Sequence, residues 1–201
     1  MNIIEFQEFK KIPRLSREIV ISEKIDGTNG VIYIGEEGEF WAGSRNRWLD
    51  EHTDNHNFWH WAIAHKNELL KLGHGYHHGE WWGSGIQRGY NLPKGEKRFS
   101  LFNVGRWCLH NEIPKLISVD PKTKIEKWQE KLPVCCYLVP VLWEGMFNTE
   151  WIDQQLYILK LNGSHASPGY MNPEGIVIYH KAGNVLFKKT IEKDEQPKNR
   201  K

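Results

Sequence analysis

An α+β fold of mostly antiparallel strands with a few packed helices is predicted for this 201-residue chain from three observations. Short runs rich in β-branched and aromatic residues recur along it, bounded by Gly, Asp and Asn, as strands and tight turns require. Apolar residues fall into helical spacing in only three segments. No internal repeat, low-complexity linker or apolar run of transmembrane length breaks the pattern. A chain of this size builds one full core, so residues 1–201 read as a single domain.

The elements follow in order. Residues 1–16 form an irregular lead-in around Pro13. Residues 18–25, 30–34 and 38–43 read as strands. From Asn55 the spacing turns helical: Phe58, Trp61, Ala62, His65, Leu69 and Leu72 share one face, and Gly73 stops the helix. Strands follow near residues 76–82 and 98–104. Asp120-Pro121 predicts the start of a second helix with Ile125, Trp128 and Leu132 as its apolar stripe. Residues 134–143 read as one long strand. Thr149 is the expected cap of a third helix that carries Ile152, Leu156 and Leu159 and ends at Asn162-Gly163. Strands near 175–180 and 184–189 close the domain, and the polar tail 191–201 is expected to fray.

Composition narrows the function. A net charge of +2 excludes a uniformly basic coat, so any nucleic-acid contact comes from a local patch. The three cysteines, Cys108, Cys135 and Cys136, are odd in number and form no Cys-x-x-Cys, which predicts a reduced, intracellular protein. The charged N-terminus has no signal-peptide pattern, and no membrane partner is expected. The ten histidines include no His-Glu-x-x-His and read as surface or core residues. Most of the ten tryptophans are expected in the core, with some lining a base-binding groove.

The segment Glu23-Lys24-Ile25-Asp26-Gly27-Thr28-Asn29 lies between two alternating apolar runs. It puts a lysine at a strand end, before a tight Asp-Gly turn. A lysine held there can be desolvated and aimed as a nucleophilic amine. The same residues also suit a plain hairpin turn with a solvated lysine.

Residues further along extend the first reading. Lys24-x-Asp26-Gly27 resembles motif I of the covalent nucleotidyltransferases, the superfamily of ATP-dependent DNA ligases, RNA ligases and mRNA capping enzymes. Ser44-Arg45 resembles motif Ia, and His78-Gly79-Glu80-Trp81-Trp82-Gly83 resembles motif III. Phe99 to Val104 resembles motif IIIa, Pro173 to Ile178 motif IV, and Leu186-Phe187-Lys188-Lys189 motif V. The Gly-Thr-Asn after Asp26 is most similar to the RNA ligase 2 branch. The resemblance covers most of the chain. It implies a ligase adenylation domain of two mostly antiparallel sheets with flanking helices. Members usually append a second domain after motif V, for which only about a dozen residues follow here, too few for a core.

The resemblance also implies roles. Lys24 is the nucleophile that takes AMP from ATP. Its unperturbed pKa of about 10.4 means that a nearby positive field or burial must favour the neutral amine. Glu23, Asn29, Arg45, Glu80, Phe102, Lys188 and Lys189 contact the nucleotide. Glu80 accepts from a ribose hydroxyl, and Arg45 matches phosphate geometry. Phe102 stacks on adenine, with Phe99 as the competing aromatic. Glu174 binds magnesium. Motif V normally reads Lys-x-Lys; the adjacent lysines here alternate faces, so Lys188 is favoured for the α-phosphate and the second role passes to Lys189 or Thr190. Arg47 and Arg88 are the expected nucleic-acid contacts, with Arg45, Trp48, Trp81 and Trp82 as further candidates. The expected function is an ATP- and magnesium-dependent ligase joining 5′-phosphate and 3′-hydroxyl ends, RNA before DNA. The alternatives are another AMP transferase, capping-like or protein-modifying, and an end-binding module that has lost turnover.

Overall fold

A computed structural model describes residues 5–195. The strands are β1 (Glu18–Lys24), β2 (Thr28–Ile34), β3 (Phe40–Gly43), β4 (Gly75–Gly83), β5 (Lys97–Leu101), β6 (Trp107–Cys108), β7 (Leu116–Val119), β8 (Glu126–Trp128), β9 (Glu130–Lys131), β10 (Tyr137–Leu138), β11 (Val141–Met146), β12 (Gly175–His180) and β13 (Val185–Thr190). The helices are α1 (Phe58–Ala64), α2 (Lys66–Leu69) and α3 (Thr149–Asn162). A four-stranded sheet runs β11-β1-β12-β13 and a five-stranded sheet runs β10-β5-β4-β2-β3. Pairing within them is antiparallel except between β10 and β5. The predicted α+β class is the observed one. Among the described residues no helix is long and apolar enough to cross a membrane.

Each sheet buries one face under helix. The first predicted helix forms as α1, α2 and a short 3-10 turn, ending at Gly73 with φ of 74°. Its Phe58, Ala62, Leu69 and Leu72 pack on Ile32, Trp81, Phe99 and Leu101 of the five-stranded sheet. α3 lays Ile152 and Leu159 on Ile19, Ile21, Ile176 and Ile178 of the other sheet. Full burial of such a side chain is worth about 1.5–3 kcal/mol, so these two stripes fix where the helices dock. A third cluster of Ile25, Trp82, Tyr90, Val139 and Tyr170 joins the sheets.

The chain crosses between the sheets twice, side by side. The first crossing is the turn between β1 and β2. The second joins β10 to β11 through Val139-Pro140, and there the Glu23 N–H donates to the Pro140 carbonyl at 2.9 Å. Residues 134–143 are therefore two strand pieces in different sheets rather than one long strand. Pro140 has no N–H to offer a ladder, which suits it to the break.

Other expectations are corrected. The helix predicted from Asp120-Pro121 is a β7–β8 hairpin. The Asp120 side chain accepts from the Lys122 and Thr123 N–H groups, and Lys124 takes φ of 61°, so a local turn wins over helix. Ile125 and Trp128 stay exposed; only Leu132 of that stripe is buried. The cap of α3 is Asn148, which accepts from Glu150 and Trp151, and not Thr149. Of the tail, residues 191–195 form a bend and a turn that are exposed from residue 192 on, and 196–201 lie outside the described residues.

Candidate active site

Lys24 is the last residue of β1, opposite Gly175 of β12. Its Nζ donates to Glu174 Oε2 at 2.6 Å. Glu174 is only 4% exposed, at the mouth of β12. The turn after Lys24 is held from three directions. The Asp26 N–H donates to the Tyr90 hydroxyl at 2.8 Å, and the Asp26 carboxylate accepts from Arg88 Nε at 3.0 Å. The Gly27 N–H donates to Glu80 Oε1 at 3.0 Å. A Cβ at Gly27 would lie 2.5 Å from the Trp81 carbonyl oxygen, so glycine is required by the close approach of β4.

Glu80 stands on β4 directly across from Asn29 of β2, whose Nδ2 donates to Glu80 Oε2 at 3.2 Å. Burial pushes the Glu80 carboxyl up to about 7, against the opposing pull of Lys24 and the Gly27 N–H, with Glu174 and Asp26 adding to the rise. Ser100 of β5 faces Glu80 from the other side and accepts from Trp82 Nε1 at 2.9 Å. Phe102 follows two residues later, on the same face as Ser100, and is 39% exposed. Phe99 is fully buried against Phe58 and Trp61, so of the two aromatics only Phe102 has an open ring face.

Alternation separates the two lysines of β13. Lys188 pairs with Val177, which pairs with Ser22, and so shares the Lys24 face. Lys189 pairs with Ile176, whose side chain lies under α3, and its Nζ is bound to Asp153. Thr190 lies across from Gly175 on the Lys24 face, its hydroxyl bonded to the Glu192 carbonyl. Arg45 and Arg47 line a cavity of about 360 Å³ with Thr28, Ser44, Asn46 and Asn55, beside the start of β2.

The structure thus brings two hydrogen-bonded pairs, Lys24–Glu174 and Asn29–Glu80, within electrostatic reach of each other, with Phe102 and Lys188 on the two flanking sheet faces. It does not bring Glu23 or Lys189 there. Alternation turns the Glu23 side chain to the far face of β1. There its carboxylate is buried, accepting from Ser164 Oγ and from the N–H groups of His165 and Ala166. Arg88 is built into the wall through Asp26 and the Asn172 carbonyl. Trp81 and Trp82 are buried and offer no groove surface. The turn-holding role of Tyr90 was not legible in the sequence. Its signal is weak: a lone tyrosine in a Gly-rich loop, here with φ of 52° and a ring packed between Trp82 and Tyr170.

The donors suit a magnesium ion. Mg²⁺ is usually held by one or two carboxylates together with water and substrate phosphates, and Glu174 supplies a carboxylate beside the Lys24 amine. Among the described residues no group of three or more His, Cys, Asp or Glu is placed to form an all-protein cage.

The sequence profile described as RNA ligase matches residues 17–190 of this chain. Structures of Naegleria gruberi RNA ligase variants are similar in fold. One solved with AMP and manganese matches at 20% identity and a TM-score of 0.58, over 88% of this chain and 50% of that one. Another, with ATP and manganese, matches at 19% identity and a TM-score of 0.56, over 87% and 50%. The chain spans about half the length of these structures. No curated protein matches it.

Proposed function

The chain belongs to the RNA ligase family, and from that premise we propose that it is an ATP-dependent RNA ligase working through a covalent lysyl-AMP at Lys24. The observation that carries this reading is the position of the Lys24 amine: at the crossing between the sheets, 2.6 Å from buried Glu174 and within electrostatic reach of Glu80.

In the first step the neutral Lys24 amine attacks the α-phosphorus of ATP. A nitrogen–phosphorus bond forms, the bond to the β-phosphate oxygen breaks, pyrophosphate leaves, and the amine gives up a proton. Phosphoryl transfer needs positioning and charge neutralisation more than covalent assistance. Glu174 holds the amine at the strand end before the nucleotide arrives. Phe102 offers a ring face to adenine, and Glu80, ionised, accepts from a ribose hydroxyl while Asn29 and the Gly27 N–H keep it aimed. Lys188 approaches the α-phosphate from the Lys24 face, and Arg45 engages phosphate at the cavity mouth. Magnesium bound at Glu174 would supply neutralisation of the charge on the phosphates. In the second step an RNA 5′-phosphate oxygen attacks the lysyl-AMP phosphorus, and the nitrogen–phosphorus bond breaks. In the third a 3′-hydroxyl attacks the activated 5′-phosphorus and AMP leaves.

The test is sealing by the purified chain of labelled 5′-phosphorylated nicks in RNA, DNA and hybrid duplexes and of single-stranded RNA, with ATP and magnesium. The reading predicts ATP-dependent joining of an RNA 3′-hydroxyl end to a 5′-phosphate end. Uptake of AMP without joining of any of these would instead point to an AMP transferase with another acceptor.

A further inference from the structure

A row of exposed aromatic side chains continues the nucleotide-site face of the five-stranded sheet outward, away from Lys24. On β4, residues two apart share a face, so Glu80, His78 and Tyr76 point the same way. Tyr76 is paired with Tyr33 of β2, and Tyr33 with Trp41 of β3. Trp48, in the turn after β3, closes the row. The rings are neighbours throughout: His78 and Tyr76 centroids lie 6.0 Å apart and within 8° of parallel, Tyr76 and Tyr33 4.6 Å, Tyr76 and Trp48 6.3 Å and within 23° of parallel, and Trp48 and Trp41 5.9 Å. At the inner end the Phe102 N–H donates to the His78 carbonyl at 3.0 Å, so the row begins beside Phe102. From Glu80 to Tyr76 along the strand is about 13 Å.

Cross-strand aromatic pairs stabilise sheets, and that accounts for part of the row. It does not account for its exposure. Trp41 is 52%, Trp48 42% and Tyr76 61% exposed, while the opposite face of the same strands carries the core. Rings left open, with no aliphatic residue among the five, suit a partner that is flat and aromatic. Two cationic side chains lie beside the outer end of the row. Arg45 and Arg47 sit in the same turn as Trp48, closed by the Ser44 N–H donating to the Arg47 carbonyl.

The geometry points to this row as a stacking platform for single-stranded RNA, which holds unstacked bases of the substrate end next to the nucleotide site while Arg45 and Arg47 meet its phosphates. The inference rests on the ligase reading and names the substrate form that this face accepts: unpaired nucleotides rather than continuous duplex, since only unpaired bases present both ring faces.

Fluorescence anisotropy of a labelled oligouridylate of about ten nucleotides measures this, at fixed salt and without ATP. The double variant Trp41→Ala/Trp48→Ala is expected to lose affinity about tenfold or more while keeping the salt slope, because stacking and phosphate contact are separate contributions. Trp48→Phe should keep most of the affinity, and Tyr76→Ala should weaken it independently. Trp151→Ala, at an equally open tryptophan on α3, is the control and should change nothing. Thermal melting reports whether each variant is folded. Unchanged affinity in folded Trp41→Ala/Trp48→Ala or Tyr76→Ala, an equal loss in Trp151→Ala, or no binding by the unaltered chain overturns the platform. AMP uptake on the same proteins keeps the two readings apart. Uptake without ring-dependent binding sinks the platform alone, whereas ring-dependent binding without uptake sinks the ligase reading.

Discussion

At the residue scale the site is a balance of charges placed by strand ends. Removing the Lys24 amine leaves Glu174 buried without that partner. Because the Lys24 side chain stays 21% exposed, Lys24→Ala should cost about 1–2 kcal/mol, less than breaking a fully buried pair. A modest fall in melting temperature with complete loss of AMP uptake is expected; full uptake by that variant contradicts the nucleophile assignment. Glu80 makes a second prediction. Its folded-state value of about 7 lies above the ordinary 4.5, so between these values the folded chain holds more protons than the unfolded one. Stability should therefore fall as pH rises from about 4.5 to about 7, and the part owed to this residue should vanish in Glu80→Gln. AMP uptake should run the other way, rising through the same window as the carboxylate becomes an acceptor. Melting curves of the two proteins that stay parallel across the window would show that Glu80 does not titrate there.

At the element scale the governing rule is strand alternation. It sends Lys188 to the Lys24 face and Lys189 to Asp153 beside α3. Lys188→Ala should cut AMP uptake by at least tenfold. Lys189→Ala removes only an exposed ion pair and should change stability by less than about 1 kcal/mol and leave uptake near normal. Single-turnover labelling of the two variants checks this, and the reverse order would overturn the assignment. The turn between β1 and β2 makes the next prediction. Arg88→Ala removes the bonds that Arg88 makes to the Asp26 carboxylate and the Asn172 carbonyl, so uptake and melting temperature should both fall. The same alternation explains what the sequence made legible. Strands β1, β2, β4 and β12 were readable because each buries a set of apolar residues. Lys24, Glu80 and Phe102 are proposed from motifs that follow one another in order along the chain. The β7–β8 hairpin was hidden because Ile125, Trp128 and Leu132 fit helical spacing by chance, while the deciding interaction was the Asp120 side chain. The break at Pro140 was hidden because β-branched and aromatic residues continue on both sides of it. The burial of the Glu23 carboxylate on the far face was hidden because motif membership does not tell which face a side chain takes.

At the scale of the whole molecule, function rests on two chain crossings that lie side by side and clamp two sheets together at Lys24. With a net charge of only +2, the proposed grip on RNA rests on the local patch of Arg45 and Arg47. Binding should weaken with salt at a slope of about −0.7 to −0.9 per phosphate contact, and Arg45→Ala or Arg47→Ala should each lower that slope by about one contact. A salt titration unaffected by either substitution would place the grip elsewhere. The central claim, that this crossing builds a nucleophilic lysine, is tested most directly by intact-protein and peptide mass spectrometry after incubation with ATP and magnesium. The account predicts one AMP per chain, bound through an acid-labile phosphoramidate on the peptide containing Lys24, released by pyrophosphate and absent from Lys24→Ala. An unmodified chain, or AMP on any other residue, would contradict it.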